Sequence, residues 1–308
     1  MSDATPPPTS SGSAEAEGTA TTGMSNERQA SLWSDAWYQL RRSPLFIISA
    51  ILITLVLLVA IFPQWFASGD PFDADLSRTL ERPSSEHVFG FDIQGRDYYT
   101  RVIYGARASI SVAMLVVATA TLIAVFLGSL AGYYGGKLDA FISRLTDVFF
   151  ALPTILGGLV LLTVLPSRGV FTVALVLSVL GWPTMLRLMR SSVISAKSGE
   201  YVQAARALGA SDLRIMRRHI LPNAITPVLV YATIYVGIII SAEAALTFLG
   251  VGLQTPAISW GLMISNAQSR VLDAPHLLLF PGAFLSVTVF SFILMGDALR
   301  DAFDPKLR

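Results

Sequence analysis

Six long apolar stretches, separated by shorter polar ones, dominate the pattern of hydrophobic and polar positions in this chain of 308 residues. Each stretch is close to the roughly 20 residues that an α-helix needs to cross the hydrocarbon core of a bilayer. The pattern therefore predicts an all-α membrane protein with six transmembrane helices. The predicted spans cover residues 45–66, 108–131, 145–165, 170–188, 225–250 and 277–295.

Residues 1–36 differ from the rest of the chain, because they are rich in Ser, Thr, Pro, Gly and Ala and contain no apolar run. A segment of this composition cannot bury enough apolar surface to offset the entropy lost on ordering, so a disordered cytoplasmic tail is predicted. A short amphipathic piece at residues 32–40, with Trp33 and Trp37, is predicted to lie on the membrane surface. The membrane domain then covers residues 37–308.

Composition supports the membrane class, because 53% of the residues are hydrophobic and only 14% are charged. An average soluble domain has about 25% charged residues.

Most basic residues fall in segments on the same side as the N-terminus, which predicts that both termini are cytoplasmic. In this orientation residues 200–223 are cytoplasmic and the loop 67–107 is extracytoplasmic. Residues 251–276 are predicted to form a re-entrant or surface-lying segment.

Residues 200–223 form a polar, basic island between the fourth and fifth predicted spans. Tyr201, Ala204, Ala205 and Leu208 recur with helical spacing, which predicts a short helix with one apolar or small face. A compact helical element at a membrane surface indicates a docking function.

The end of this first short helix and the bounds of a second one are also predicted. Gly209 can adopt the left-handed conformation that ends a helix. Ser211 and Asp212 are placed to cap the next helix, and Pro222 is predicted to end it. The island is therefore interpreted as two short helices with a bend at Gly209.

Several kinds of chemistry are missing from the sequence. The glycine-rich stretch 132–137 lacks the spacing of a nucleotide-binding loop, and Leu138 stands where a Ser or Thr would bind magnesium. The chain has no Cys, and its three His are far apart, so neither a metal site nor a bound cofactor is expected. The spans contain no constellation typical of an enzyme. Any energy from ATP must therefore come from another chain.

Glu243 is an ionisable residue inside the fifth predicted span. A carboxylate at the centre of a membrane helix costs about 2.5–3.5 kcal/mol on insertion scales, so its side chain should face a cavity or a partner. Two roles stay open: lining a translocation pathway, or a hydrogen bond to a neighbouring helix.

Small residues at four-residue spacing favour close helix packing over pore lining. They are Gly128, Gly132 and Gly136 in one set, and Gly237, Ser241 and Ala245 in the other.

Residues 203–209, QAARALG, followed by His219-Ile-Leu-Pro222, resemble the "EAA" loop of permease subunits of bacterial ABC importers. Further motifs are similar to those of the second (C-type) permease in the dipeptide, oligopeptide and nickel class. These motifs are FGFDIQGRD at 89–97, YGAR at 104–107, GYYGG at 132–136, AEAALTFLG at 242–250, SWG at 259–261 and GDALRDAFDPKLR at 296–308.

The resemblance implies a type I ABC importer permease fold in the bacterial inner membrane. The implied partners are a second permease subunit, two cytoplasmic ATPase domains that bind the ATP, an extracytoplasmic substrate-binding protein and the lipid bilayer, with no nucleic acid. The EAA loop would be the coupling helix that lies in a groove of the ATPase. Its expected contact residues are Glu200, Tyr201, Gln203, Ala204, Ala205, Gly209, Arg217, His219 and Pro222.

Two positions depart from the general motif. Gln203 replaces a Glu, and Glu200, almost one turn earlier, could partly substitute for it. His219 stands where an Ile is usual. Docking geometry is expected to survive both departures.

The implied function is ATP-driven import of di- or oligopeptides by alternating access. The same machinery importing nickel complexes or haem is the alternative. An ATP-independent secondary transporter would need ion-coupling residues in its spans, and only Glu243 is a candidate. A structural scaffold would leave the EAA loop without a purpose.

Overall fold

The computed structural model describes residues 37–303. The predicted tail and the last five residues of the C-terminal motif lie outside the described residues. Of the predicted surface helix at 32–40, only residues 37–40 are described, and they are helical.

The described chain is helical, and its β structure is a single isolated bridge between Phe91 and Asp97. Short 3-10 turns occur at Pro63–Trp65, Leu76–Arg78 and Gln268–Arg270. The helices are α1 (Pro44–Ile61), α2 (Tyr98–Tyr134), α3 (Gly136–Phe150), α4 (Thr154–Val164), α5 (Val170–Lys197), α6 (Glu200–Ala207), α7 (Asp212–Phe248), α8 (Trp260–Ala267) and α9 (His276–Phe303).

Five of these helices (α1, α2, α5, α7 and α9) are long and apolar enough to cross a membrane. The predicted third span, 145–165, is not one helix, because α3 and α4 meet at an angle of 79°. Pro153 lies at the break, where its missing N–H and its restriction of the preceding residue oppose a continuous helix. The bent pair would make a sixth span only if both helices cross together.

Four of the long helices extend well beyond the predicted spans, and one of them is α9, which continues to Phe303. The first ten residues of α2 belong to the predicted loop 67–107, α5 continues to Lys197, and α7 begins at Asp212. Polar residues at these ends fall outside the apolar runs, although they continue the helices. At the start of α2, the Asp97 carboxylate accepts a 2.8 Å hydrogen bond from the Thr100 N–H, which caps the helix.

Close helix contacts explain part of the small-residue pattern. A Cβ on Gly128 or Gly132 would lie 2.9 or 2.8 Å from a backbone oxygen of α5, and one on Gly237 would lie 3.1 Å from the Val289 oxygen of α9. Gly136 differs, because it is the first residue of α3, has φ +57°, and a Cβ added to it would meet nothing within 4 Å. Gly128 and Gly132 therefore allow α2 to approach α5 closely.

The segment before α2 is folded around one buried carboxylate. Asp92 accepts hydrogen bonds from the backbone N–H groups of Gln94 and Arg96, and from the Arg96 guanidinium at 2.8 Å. Arg101, on the first turn of α2, lies 3.3 Å from the same carboxylate. These bonds hold the predicted extracytoplasmic loop against the membrane helices.

Candidate functional site

The element formed by residues 200–223 has two faces. Val202 and Ala205 are buried against the protein, at 1% and 9% exposure. Tyr201, Ala204 and Leu208 are exposed on the other side, and the Leu208 side chain is 88% accessible. Ala205 therefore packs inward, whereas the rest of the predicted apolar face points away from this chain. An exposed apolar face beside a membrane domain is suited to binding another protein.

Gly209 ends α6 as the sequence predicts. Its φ is +79°, its N–H donates to the Arg206 oxygen, and the Ala210 N–H donates to the Ala205 oxygen. These two bonds form a Schellman motif, in which a left-handed residue ends the helix. A Cβ added to Gly209 would meet nothing within 4 Å, so only the backbone conformation restricts this position.

Pro222 does not end the second helix, contrary to the prediction. A π turn at Met216–Ile220 precedes it, in which the Leu221 N–H donates to the Met216 oxygen. The wider turn accommodates the proline ring, which would otherwise clash with the carbonyl four residues earlier. The second helix of the element is therefore the first part of α7, which runs without a break into the membrane.

The start of α7 is fixed to the end of α2. Ser211 has the extended backbone of an N-cap residue, but its side chain makes no capping bond. The Asp212 carboxylate instead accepts a 2.6 Å hydrogen bond from the Tyr133 hydroxyl. Lys197, the last residue of α5, donates to the backbone oxygen of Tyr133. One residue of α2 therefore positions both sides of α6.

The remaining predicted contact residues lie on the surface of this element. Glu200, Gln203, Arg217 and Pro222 are exposed, and His219 is half-buried. Arg217, Arg214 and Arg218 form no ion pair within the described residues. Leu213 is a further apolar residue of this element with a 66% exposed side chain, and no sequence pattern indicates it as a contact residue. We define the coupling surface as Tyr201, Ala204, Leu208, Leu213 and Arg217.

Two cavities follow one another along the same side of α5 and α7. The first, of about 520 Å³, lies beside α6 and is lined by Ser191, Ser195, Tyr201 and Asn223. The second, of about 650 Å³, lies beside the break between α3 and α4 and is lined by Thr184, Tyr231, Tyr235 and Ser241. We call the two together the α5–α7 groove.

The α5–α7 groove is neutral but not wholly apolar, since no charged side chain lines either cavity. The Tyr235 hydroxyl donates a 2.9 Å hydrogen bond to the Gly181 oxygen. In the described chain the hydroxyls of Tyr231 and Thr184 make no hydrogen bond, so both are free for a ligand. The predicted small residues Ser241 and Ala245 also lie here rather than at a helix contact.

Glu243 does not line the groove. Its side chain is fully buried, and its carboxylate accepts hydrogen bonds from Ser109, Thr247 and Ser259 at 3.2, 2.9 and 3.2 Å. The geometry favours the second of the two predicted roles, a hydrogen bond to neighbouring elements. Ser109 and Ser259 are 134 and 16 residues away along the chain, and no sequence pattern indicates either partner.

Comparison with known proteins gives close relatives along most of the chain. The oligopeptide transport system permease protein OppC of Bacillus subtilis is 38% identical over 283 residues, covering 92% of each chain. The dipeptide transport system permease protein DppC of Alkalihalophilus pseudofirmus is 40% identical over 277 residues, covering 90% of each. The glutathione transport system permease protein GsiD of Escherichia coli O157:H7 is 38% identical, covering 90% of this chain and 91% of its own.

A solved structure shares the fold. An inward-facing structure of the MetNI methionine ABC transporter aligns with 66% of this chain and 96% of its own, with a TM-score of 0.55 and 21% identity. Residues 31–83 match the N-terminal transmembrane domain of oligopeptide transport permease C. Residues 124–308 match the binding-protein-dependent transport system inner membrane component. The chain thus belongs to the family of multi-pass inner-membrane permeases of binding-protein-dependent ABC transport systems.

Proposed function

We propose that this chain is one permease subunit of an ATP-driven importer that carries di- or oligopeptides into the bacterial cytoplasm by alternating access. The observation that supports this most is the exposed coupling surface, attached directly to two membrane-spanning helices. Two partner ATPase domains would bind this surface and supply the ATP chemistry, since the chain itself has no nucleotide-binding loop. This role requires that residues 200–223 are cytoplasmic, as the distribution of basic residues predicts.

Movement of the coupling surface would reach the membrane through α5 and α7. Residues 198–211, including α6, connect the two helices, and both line the α5–α7 groove. Closure of the ATPase domains on ATP binding would displace α6 and tilt both helices. The groove would then open alternately to each side of the membrane, with two discrete arrangements biased by ligands at both ends.

The remaining partners follow from the same cycle. A second permease subunit would complete the pathway opposite the groove, and a substrate-binding protein would dock on the extracytoplasmic side, including the loop 67–107. This chain itself would hold no cofactor, because the ATP would be bound by the partner subunits.

The character of the groove supports peptides as the substrate. Free hydroxyls such as those of Tyr231 and Thr184 can bond to the peptide backbone, which is common to all sequences. A neutral lining imposes no charge preference on the peptide side chains. No His, Asp or Glu lines either cavity, so the groove offers no ligand set for nickel.

Substitution at Gly209 tests the coupling role. Gly209→Val should lower peptide uptake by about tenfold or more, because a β-branched residue disfavours the left-handed conformation that orients α6. Gly209→Asn is the matched control, since Asn tolerates this conformation, and it should transport close to wild-type. Uptake would be measured in liposomes with all partner subunits, after confirming assembly. Normal uptake by an assembled Gly209→Val complex would contradict the proposal.

A further inference from the structure

Glu243 is a buried ionisable group that the import cycle described above does not use. It lies near the end of α7 that is remote from the coupling surface, and its side chain is 0% exposed. The three hydroxyls that donate to its carboxylate come from three elements. Ser109 belongs to α2, Thr247 lies one turn further along α7, and Ser259 is the N-cap residue of α8. No basic side chain of the described chain bonds to this carboxylate.

Each of these hydroxyls also accepts a backbone N–H from the segment that follows α7. A hydroxyl has one proton, and here that proton is donated to the carboxylate, so the oxygen is oriented to accept. One carboxylate therefore aligns three hydroxyls and, through them, three backbone N–H groups. The pairs are Leu253 N–H to Thr247 at 3.1 Å, Trp260 N–H to Ser109 at 3.3 Å and Leu262 N–H to Ser259 at 3.1 Å.

The segment held in this way, residues 249–267, also packs tightly against α2 and α7. Trp260 is fully buried, and its indole N–H donates a 2.9 Å hydrogen bond to the Val102 oxygen of α2. A Cβ added to Gly261 would lie 2.7 Å from the Cα atom of Ala244, next to Glu243. The segment cannot shift relative to α7 without breaking the bonds that Glu243 organises.

We propose that Glu243 is a positioning residue that fastens residues 249–267 to α2 and α7, so that docking of a loaded binding protein is transmitted along α7 to the ATPases. This inference rests on the proposed function and its orientation, in which residues 249–267 face the binding protein. The helix α7 joins the two ends directly, because it is continuous from Asp212 to Phe248. Loss of the carboxylate would therefore disconnect the two sides while leaving the coupling surface intact.

The test measures ATP hydrolysis by the complete complex in liposomes, with and without the binding protein saturated with a peptide. Glu243→Gln replaces one acceptor oxygen by a donor, and the aligned set of three hydroxyls is lost. Basal hydrolysis should stay within about twofold of wild-type, while stimulation by the binding protein should fall on the order of tenfold, as expected for loss of coupling between sites. Peptide uptake should fall with the stimulation.

Two further variants, each of which lacks one hydroxyl, keep the test decisive even if Glu243→Gln fails to fold. Thr247→Val removes one of the three hydroxyls and should lower stimulation in the same direction by a smaller factor. Thr119→Val is the matched control, because Thr119 is an exposed residue of α2 whose hydroxyl bonds only to the Leu115 oxygen of its own helix. It should behave as wild-type.

The outcomes separate this inference from the proposed function. Unchanged stimulation in Glu243→Gln, or an equal fall of basal and stimulated hydrolysis in Thr247→Val, would overturn the positioning role. A wild-type complex that hydrolyses ATP without any response to a loaded binding protein would instead refute the proposed function. A response in wild-type that is selectively lost in both variants supports the inference.

Discussion

The two ends of α7 differ in almost every physical respect, although they belong to one helix. At the Asp212 end, the coupling surface is exposed and its Arg217 forms no ion pair within the described residues. At the other end, the Glu243 carboxylate is buried and accepts three hydrogen bonds. The first end leaves an exposed surface without ion-pair partners, whereas the second is satisfied within the described chain. Substitutions at the first end should therefore change function without changing stability. Substitutions at the second end should change both.

Trp260→Ala should produce the largest change, at the buried end. Removing a fully buried Trp leaves a cavity between α2 and α9, which typically costs about 3–5 kcal/mol of stability. Thermal unfolding of the purified chain in detergent would measure the loss. Trp65→Ala is the matched control, since that side chain is 70% exposed and should change the unfolding temperature little. Equal effects of the two substitutions would remove the contrast between the ends.

Leu208→Asp should produce the next largest change, which should appear in binding to the ATPases and not in stability. Placing a charge on the apolar coupling surface should cost about 2 kcal/mol of binding to the ATPases, or about 30-fold in affinity. The unfolding temperature of the isolated chain should not change, because the side chain is 88% exposed. Leu272→Asp, at a residue 97% exposed on the opposite side, is the control and should keep wild-type affinity for the ATPases. A destabilised Leu208→Asp chain would show that this end is not free.

Tyr231→Phe should give the smallest change and tests the face of α7 that borders the groove. Loss of one hydroxyl that bonds to substrate costs about 1 kcal/mol, so the apparent KM for peptide uptake should rise about fivefold. Tyr235→Phe is the matched variant, because its hydroxyl bonds to the Gly181 oxygen instead. It should lower stability without the same rise in KM. The reverse result would place the substrate elsewhere.

The sequence predicts the existence of the long helices well, because each contains an apolar run of membrane length. It predicts their ends less well, since the polar starts of α2 and α7 carry no hydropathy signal. The turn at Gly209 was predictable because glycine adopts a positive φ without strain, and a residue in that conformation ends a helix. The passage of α7 through Pro222 was not, because it depends on a π turn whose hydrogen bonds the sequence does not display.

The candidate site shows the same division between local and distant information. Helical spacing predicted the apolar face of α6, but not that Ala205 would point inward while Leu208 points outward. That choice depends on where α6 lies against the rest of the protein. For Glu243 the sequence left two roles open, and the structure favours one through partners that are distant in the chain. Ser259 is the N-cap residue of α8 in the structure, and its contact with the buried carboxylate also has no signal in the sequence.

The length of α7 has a mechanical consequence. Its 37 residues extend about 55 Å at 1.5 Å per residue, whereas the hydrocarbon core of a bilayer is about 30 Å thick. With the Glu243 end held as a pivot, the Asp212 end lies roughly 45 Å away along the helix axis. A rotation of about 10° would carry that end through roughly 8 Å, which exceeds one helical turn. A small rotation about the Glu243 end therefore corresponds to a large displacement of the Asp212 end, which lies next to the coupling surface.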